Sequence, residues 1–214
     1  MILRIWIKNS ILIIVLFLSF KVFAQDEILL INGKLLKHKV LYADNQFVSI
    51  EKPNKFLFLK TDGTKVKKMP ATSVFSIKYN NFDNETIMYK ADSVSGLILN
   101  IDNMHSFVYG EKWGRENFKA PWASVFGFIA GAAGGYYQFW GVPVPVVASI
   151  VIGIIPPKSK YINSFPVKYT GDHYFKAGFN DFVKKKKTGN AIIGGFAGFL
   201  TMTVITSYLS NQNW

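Results

Sequence analysis

The chain of 214 residues contains no cysteine. That excludes disulfides, thiolate metal sites, a cysteine nucleophile and the lipidated cysteine of a lipoprotein. Histidine is almost as scarce. His38, His105 and His173 lie far apart, and none has an acid or a second histidine at zinc-ligand spacing. No nucleophile has a catalytic setting either: Ser73, Ser76 and His38 sit in no elbow or triad pattern. The residues therefore suggest no enzyme, no cofactor and no metal. Acidic residues are few, with 13 Asp and Glu against 25 Lys and Arg, for a formal charge of +12. Charge of either sign is missing from two long stretches, 122–155 and 191–209. Half of the residues are hydrophobic and 16% are aromatic, a composition outside the range of disordered chains.

What charge there is has a distribution. Residues 26–119 carry fourteen basic and eleven acidic side chains, close to neutral. Residues 158–188 carry eight lysines against Asp172 and Asp181, a net +6 beside the apolar stretches. Basic residues in that position orient and anchor membrane segments, and nucleic acid is not expected as a partner. At the other end, Arg4 and Lys8 precede a ten-residue apolar run, 11–20, and Val22-Phe23-Ala24 supplies small residues at −3 and −1. This is the pattern of a signal peptide over 1–24, cut before Gln25; an uncleaved anchor is the alternative.

Residues 25–100 read as an exported small β domain. Short runs favouring strands, at 28–31, 39–43, 46–50, 55–60, 65–67, 74–79 and 85–90, are separated by Asn32-Gly33, Asp44-Asn45, Pro53-Asn54 and Thr61-Asp62-Gly63-Thr64. In 74–79, Val74, Ser76 and Lys78 alternate with Phe75, Ile77 and Tyr79, which predicts one buried and one open face. Strands this short and this regularly spaced predict an antiparallel barrel or curled sheet. Residues 101–120 predict a connecting amphipathic helix. Asp102 is the expected N-cap, Met104, Phe107, Val108 and Phe118 form its apolar positions, and Glu111 and Arg115 stand four apart as an ion pair.

Residues 121–157 predict a glycine-rich membrane segment, one span plus a short second helix. The stretch from Trp122 to Trp140 is ~27 Å long as helix, near the ~30 Å of a hydrocarbon core. Gly141-Val142-Pro143 then turns the chain into 142–155, which is short for a crossing. Residues 158–188 are expected as a basic loop with an interfacial helix, in which Lys176, Lys184, Lys185, Lys186 and Lys187 meet the membrane surface beside an apolar stripe of Tyr174, Phe175, Phe179, Phe182 and Val183. A soluble basic loop is the alternative. Residues 189–214 predict a final transmembrane helix and tail. Gly127, Gly131 and Gly135 recur every fourth residue, and Gly194, Gly195 and Gly198 give the last helix a small face of its own. Apolar contact gains little in lipid, so small residues that let backbones approach are the expected packing device. Topology strains the reading. Two crossings within 122–157 return the basic segment to the exported side, against the positive-inside tendency, whereas a re-entrant second segment satisfies it.

Several of these residues resemble a known pattern. Asp26-Glu27-Ile28, Asn32-Gly33-Lys34, Lys39-Val40 and the closing run from Val74 to Tyr79 resemble a small β module common in exported proteins of Bacteroidota-type bacteria. Met104, Phe107, Tyr109-Gly110-Glu111, Gly141-Val142-Pro143, Lys186-Lys187 with Asn190, and Gly194-Gly195 resemble a group of uncharacterised envelope proteins in which that module leads into glycine-rich membrane helices. After Gly110-Glu111 this chain departs from the group's Gln-Asp-Ala and has Lys112-Trp113-Gly114. The resemblance implies an envelope location and no known activity. The expected fold class is thus α+β: a small antiparallel β-barrel or curled-sheet domain followed by a helical, glycine-rich membrane unit. The expected role is a non-enzymatic envelope protein in the inner membrane, its β domain in the periplasm. Membrane lipids, an envelope protein partner and a second copy of the chain are its expected partners. The alternative function is an oligomeric pore or channel built from the glycine-rich helices.

Overall fold

The structure is a computed structural model that describes residues 25–52, 65–80, 84–91 and 98–211. The expected signal peptide, the expected strand at 55–60 and the turns at 53–54 and 61–64 lie outside the described residues. Two compact units are present. The first comprises the chain to Ile28 together with Leu36–Met88; the second comprises Leu29–Leu35 and everything from Tyr89 onward.

The β structure comes first in the chain. Its strands are β1 (Glu27–Leu30), β2 (Leu35–Lys37), β3 (Val40–Ala43), β4 (Phe47–Lys52), β5 (Lys65–Pro70), β6 (Val74–Lys78) and β7 (Glu85–Ile87). They form two small antiparallel sheets, ordered β2-β1-β6-β7 and β3-β4-β5; of the barrel or curled sheet that the strand spacing predicts, the closed barrel is not formed. The strands are three to six residues long and the register of β3 slips between Val40 and Tyr42, so among the described residues no ladder joins one sheet to the other. Asp26 ties the start of β1 to two distant segments, its carboxylate accepting from the Val40 N–H at 2.7 Å and the Asn80 N–H at 3.2 Å. Asp44 makes the β3–β4 turn by accepting from the Gln46 and Phe47 amides, both at 2.7 Å. The Phe47 bond foremost, then the Gln46 bond, holds its carboxyl below the usual range. Alternation in β6 does not mean one open face: Val74, Phe75, Ser76 and Ile77 are all buried. Ser76 tolerates burial by donating its hydroxyl to the Glu85 carboxylate.

Helices make up most of the second unit: α1 (Ile101–Asn117), α2 (Pro121–Tyr136), α3 (Pro143–Ile154), α4 (Ser159–Asn163) and α5 (His173–Asn211). Asn100, not Asp102, caps α1, with its side-chain oxygen accepting from the Asn103 N–H at 2.8 Å. Phe118–Ala120 breaks the helix and Pro121 restarts it at a first-turn position, where no N–H is needed. Helix α2 ends at Tyr136, so it is ~24 Å long rather than the ~27 Å expected to Trp140. A 3-10 turn at Gln138–Gly141, with Gln138 at φ +49°, reverses the chain into α3. Helix α5 begins at an Asp172 cap that accepts from the Tyr174 and Phe175 amides, and it continues for 39 residues, ~58 Å. The expected interfacial helix and the expected final helix are one uninterrupted element.

Neighbouring backbones give the helix directions. Gly110 of α1 sits against Phe175 and Phe179 of α5, and Gly114 against Phe179 and Phe182. Gly127, Gly131 and Gly135 of α2 sit against Ala191, Gly195 and Phe199. Both helices thus run parallel to α5, one after the other. Helix α3 runs the opposite way, with Pro145 beside Gly195 and Gly153 beside Thr188. The start of α2, the end of α3 and Asn190 therefore share one level of the bundle, and Asn190 marks it by donating its side-chain amide to the Ala120 carbonyl at 2.9 Å.

Candidate functional site

Among the described residues one helix is long and apolar enough to cross a membrane, judged by length and composition. It is α5, where an 18-residue window reaches a mean hydropathy of 1.6 and only 17% of that window is buried. A core helix of a water-soluble protein has similar hydropathy but is covered by neighbours. Here Ile193 is 72% exposed, Leu200 61% and Val204 68%. The exposed apolar surface continues over Phe126 and Ile129 of α2 and Val147 and Val151 of α3. Patches of this extent mark contact with something other than water.

Beneath that surface the bundle is held by backbone approach. A Cβ added to Gly127, Gly131, Gly194 or Gly198 would fall under 3.0 Å from backbone atoms of the facing helix, a distance real Cβ atoms essentially never show. The same holds at Gly135, against Phe199 O and Met202 Cβ. Gly195 faces Pro145 of α3 instead, again under 3.0 Å. The six glycines named from the sequence are therefore at helix contacts, five between α2 and α5, while Gly195 backs Gly131 of α2 and also meets α3. Gly110, Gly114 and Gly178, outside the charge-free stretches, and Gly153, within one, occupy similar positions. A Cβ added to Gly178 would fall under 3.0 Å from the Phe107 carbonyl, so this glycine continues the parallel contact onto α1. Its signal in the sequence is weak because aromatic residues surround it.

The lysines separate into three environments. Lys176, Lys184 and Lys186 are exposed. Lys185 bridges two carboxylates, Glu111 Oε1 at 3.3 Å and Asp181 one helical turn before it. Glu111 does not pair with Arg115, as four-residue spacing suggests; Arg115 instead donates to the Asn32 carbonyl at 2.9 Å. Glu111 is buried at 2% side-chain exposure and its Oε2 has no hydrogen-bond partner. Burial pushes its carboxyl up to about 7, and the neighbouring Asp181 carboxyl raises it further. Lys185 pulls the other way and is outweighed, being 64% exposed and shared with Asp181. The ammonium of Lys185 is itself held up, first by Asp181.

Lys187 stands apart from the other four. It is buried at 2% exposure on the inner side of α5, and its ammonium donates to the Ile155 carbonyl at the end of α3. Two adjoining cavities meet there. One, of about 330 Å³, is lined by residues that include Gly153, Asn180, Val183 and Lys184; the other, of about 160 Å³, by Lys119, Trp122, Lys158, Lys160 and Tyr161 among others; both share Ile155, Pro156, Pro157 and Lys187.

Above this level the contact between α1 and α5 is aromatic. Phe165 and Phe179 are at its centre, with ring centroids 5.2 Å apart, and Trp113 lies edge-on to both at 5.2 and 5.3 Å. Among the described residues no three His, Asp or Glu side chains come together as a metal site. The chain matches no protein-family model, no curated protein and no solved structure.

Proposed function

We propose that the protein is a non-enzymatic, membrane-anchored envelope protein whose β unit presents an interaction surface within a membrane complex. The observation that carries this reading is the contrast along α5. Its first half buries aromatics and carries all of its charged residues, whereas its second half, from Asn190, exposes large apolar side chains while joining α2 through glycines. Such a surface is stable in lipid and costly in water. In this reading Asn190–Tyr208 crosses the bilayer, with α2 and the shorter α3 as a hairpin beside it. Trp122, Tyr161 and the lysines lie at one boundary, as amphipathic side chains do. We place this boundary on the periplasmic face of an inner membrane. The basic segment then opposes the positive-inside tendency and binds outer-leaflet headgroups instead.

A pore of glycine-rich helices is the second reading. It draws on the hydroxyls of the apolar helices as lining. Those of Ser149, Thr201, Thr203 and Thr206 donate to carbonyls of their own helices, and only Thr203 also reaches α2, which leaves little for a lumen. Purified protein in liposomes is expected to pass no ions. Leucine at Gly131 and Gly198 together is expected to abolish co-purification of the complex from native membranes; unchanged assembly removes the claim that these helices hold it.

A further inference from the structure

We propose that the cavity around Lys187 is a binding site for a phosphate group, with Lys119, Lys158 and Lys160 as its outer cations. Lys187 is an interior cation with no carboxylate partner among the described residues. Its contact with Ile155 O uses one of three N–H donors, and the end of the α3 dipole compensates only part of a full charge. Burial pushes its ammonium down for the same reason. A buried charge without a counter-charge is costly, so the site is electrostatically incomplete as it stands.

The lining supplies what an anion needs. Lys119 comes from the α1–α2 joint, Lys158 and Lys160 from the start of α4, and Lys187 from α5, and no acidic residue lines either cavity. Four cations from three chain segments converge without a competing carboxylate. At about 160 Å³, the smaller cavity exceeds the ~30 Å³ share of one water several-fold, enough for a tetrahedral oxyanion. Lysines bind phosphate as point charges, so no bidentate geometry is required of them. Trp122 and Tyr161 on the wall suit the headgroup level of a bilayer, which makes an anionic phospholipid one source of the phosphate and a soluble phosphate the other. The lipid source rests on the membrane reading above; the phosphate site does not.

The full chain is purified in detergent and in nanodiscs of phosphatidylcholine with or without phosphatidylglycerol. Retained lipid is read by native mass spectrometry, and melting is followed with and without inorganic phosphate. Phosphatidylglycerol is expected to be retained several-fold over phosphatidylcholine and to raise the melting temperature. Lys158→Gln with Lys160→Gln should remove that preference while Lys176→Gln keeps it. Lys187→Met should remove it as well, and the exposed double variant stands in if this buried change fails to fold. Protection by inorganic phosphate alone, lost in the double variant, supports the site with a soluble ligand and leaves the membrane reading to its own test. Equal retention of both lipids, with no phosphate protection or with protection unchanged in the double variant, overturns the proposal.

Discussion

Helix α5 makes two contacts of opposite design. Against α1 it buries Phe175, Phe179, Phe182 and Val183 and recruits Trp113 and Phe165, packing as water-soluble cores do. Against α2 the buried positions are mainly Ala123, Gly127, Gly131 and Gly135 facing Ala191, Gly194 and Gly198, while the large apolar side chains of both helices point outward. In water the first arrangement gains from area removed from solvent, and the second discards that gain. The same helix thus changes its packing rule near Asn190, and the change coincides with the end of its charged residues.

Truncating one large side chain on each side of Asn190 gives the sharpest contrast. Phe179→Ala should cost about 4 kcal/mol in chemical unfolding of the detergent-solubilised chain, because it empties a closed cluster. Phe196→Ala, on the outward face, should cost within about 0.5 kcal/mol. Equal losses would erase the distinction. Adding volume reverses the sensitivity. Gly131→Leu should cost about 3 kcal/mol by forcing α2 off α5, measured in the same unfolding experiment.

The charged half has its own signature. Glu111 has a folded-state value raised to about 7 from 4.5, so its contribution to stability is fully present below pH 4.5 and is lost as pH rises to 7. Over that window stability should fall on the order of 2–3 kcal/mol, and Glu111→Gln should flatten the fall in a pH series of unfolding curves. No such dependence would place a charged Glu111 at neutral pH. The smallest effect concerns Gly189, which has open space around it on α5. Gly189→Ala should stabilise by about 0.5–1 kcal/mol through helix propensity, whereas Gly194→Ala should destabilise. If both stabilise, backbone approach is not what holds α2 to α5.

Much of this contrast was legible in the sequence. Four-residue glycine spacing and charge-free stretches are local patterns, and they name residues that the fold brings into contact. The apolar stripe of Phe175, Phe179, Phe182 and Val183 was equally visible, but its partner was not. A helical period shows which face is apolar and not whether lipid or Trp113 covers it. Burial of Glu111 and Lys187 was illegible for a related reason. Each has an ordinary helical neighbour of opposite charge or a run of like charges beside it, and only tertiary placement makes one a buried acid and the other an inward cation. Barrel closure failed as an expectation because strand count and spacing do not specify shear, and the short strands settle into two sheets.

The chain's lack of cysteine makes the lipid exposure of α5 beyond Asn190 directly measurable, since any introduced thiol is the only one. Single cysteines are placed at Lys176, Ile193, Leu200 and Val204, and native membranes are labelled with a membrane-impermeant maleimide. Rapid labelling is expected at 176, with protection at 193, 200 and 204 until detergent is added. Labelling at all four positions in intact membranes would contradict that placement in lipid.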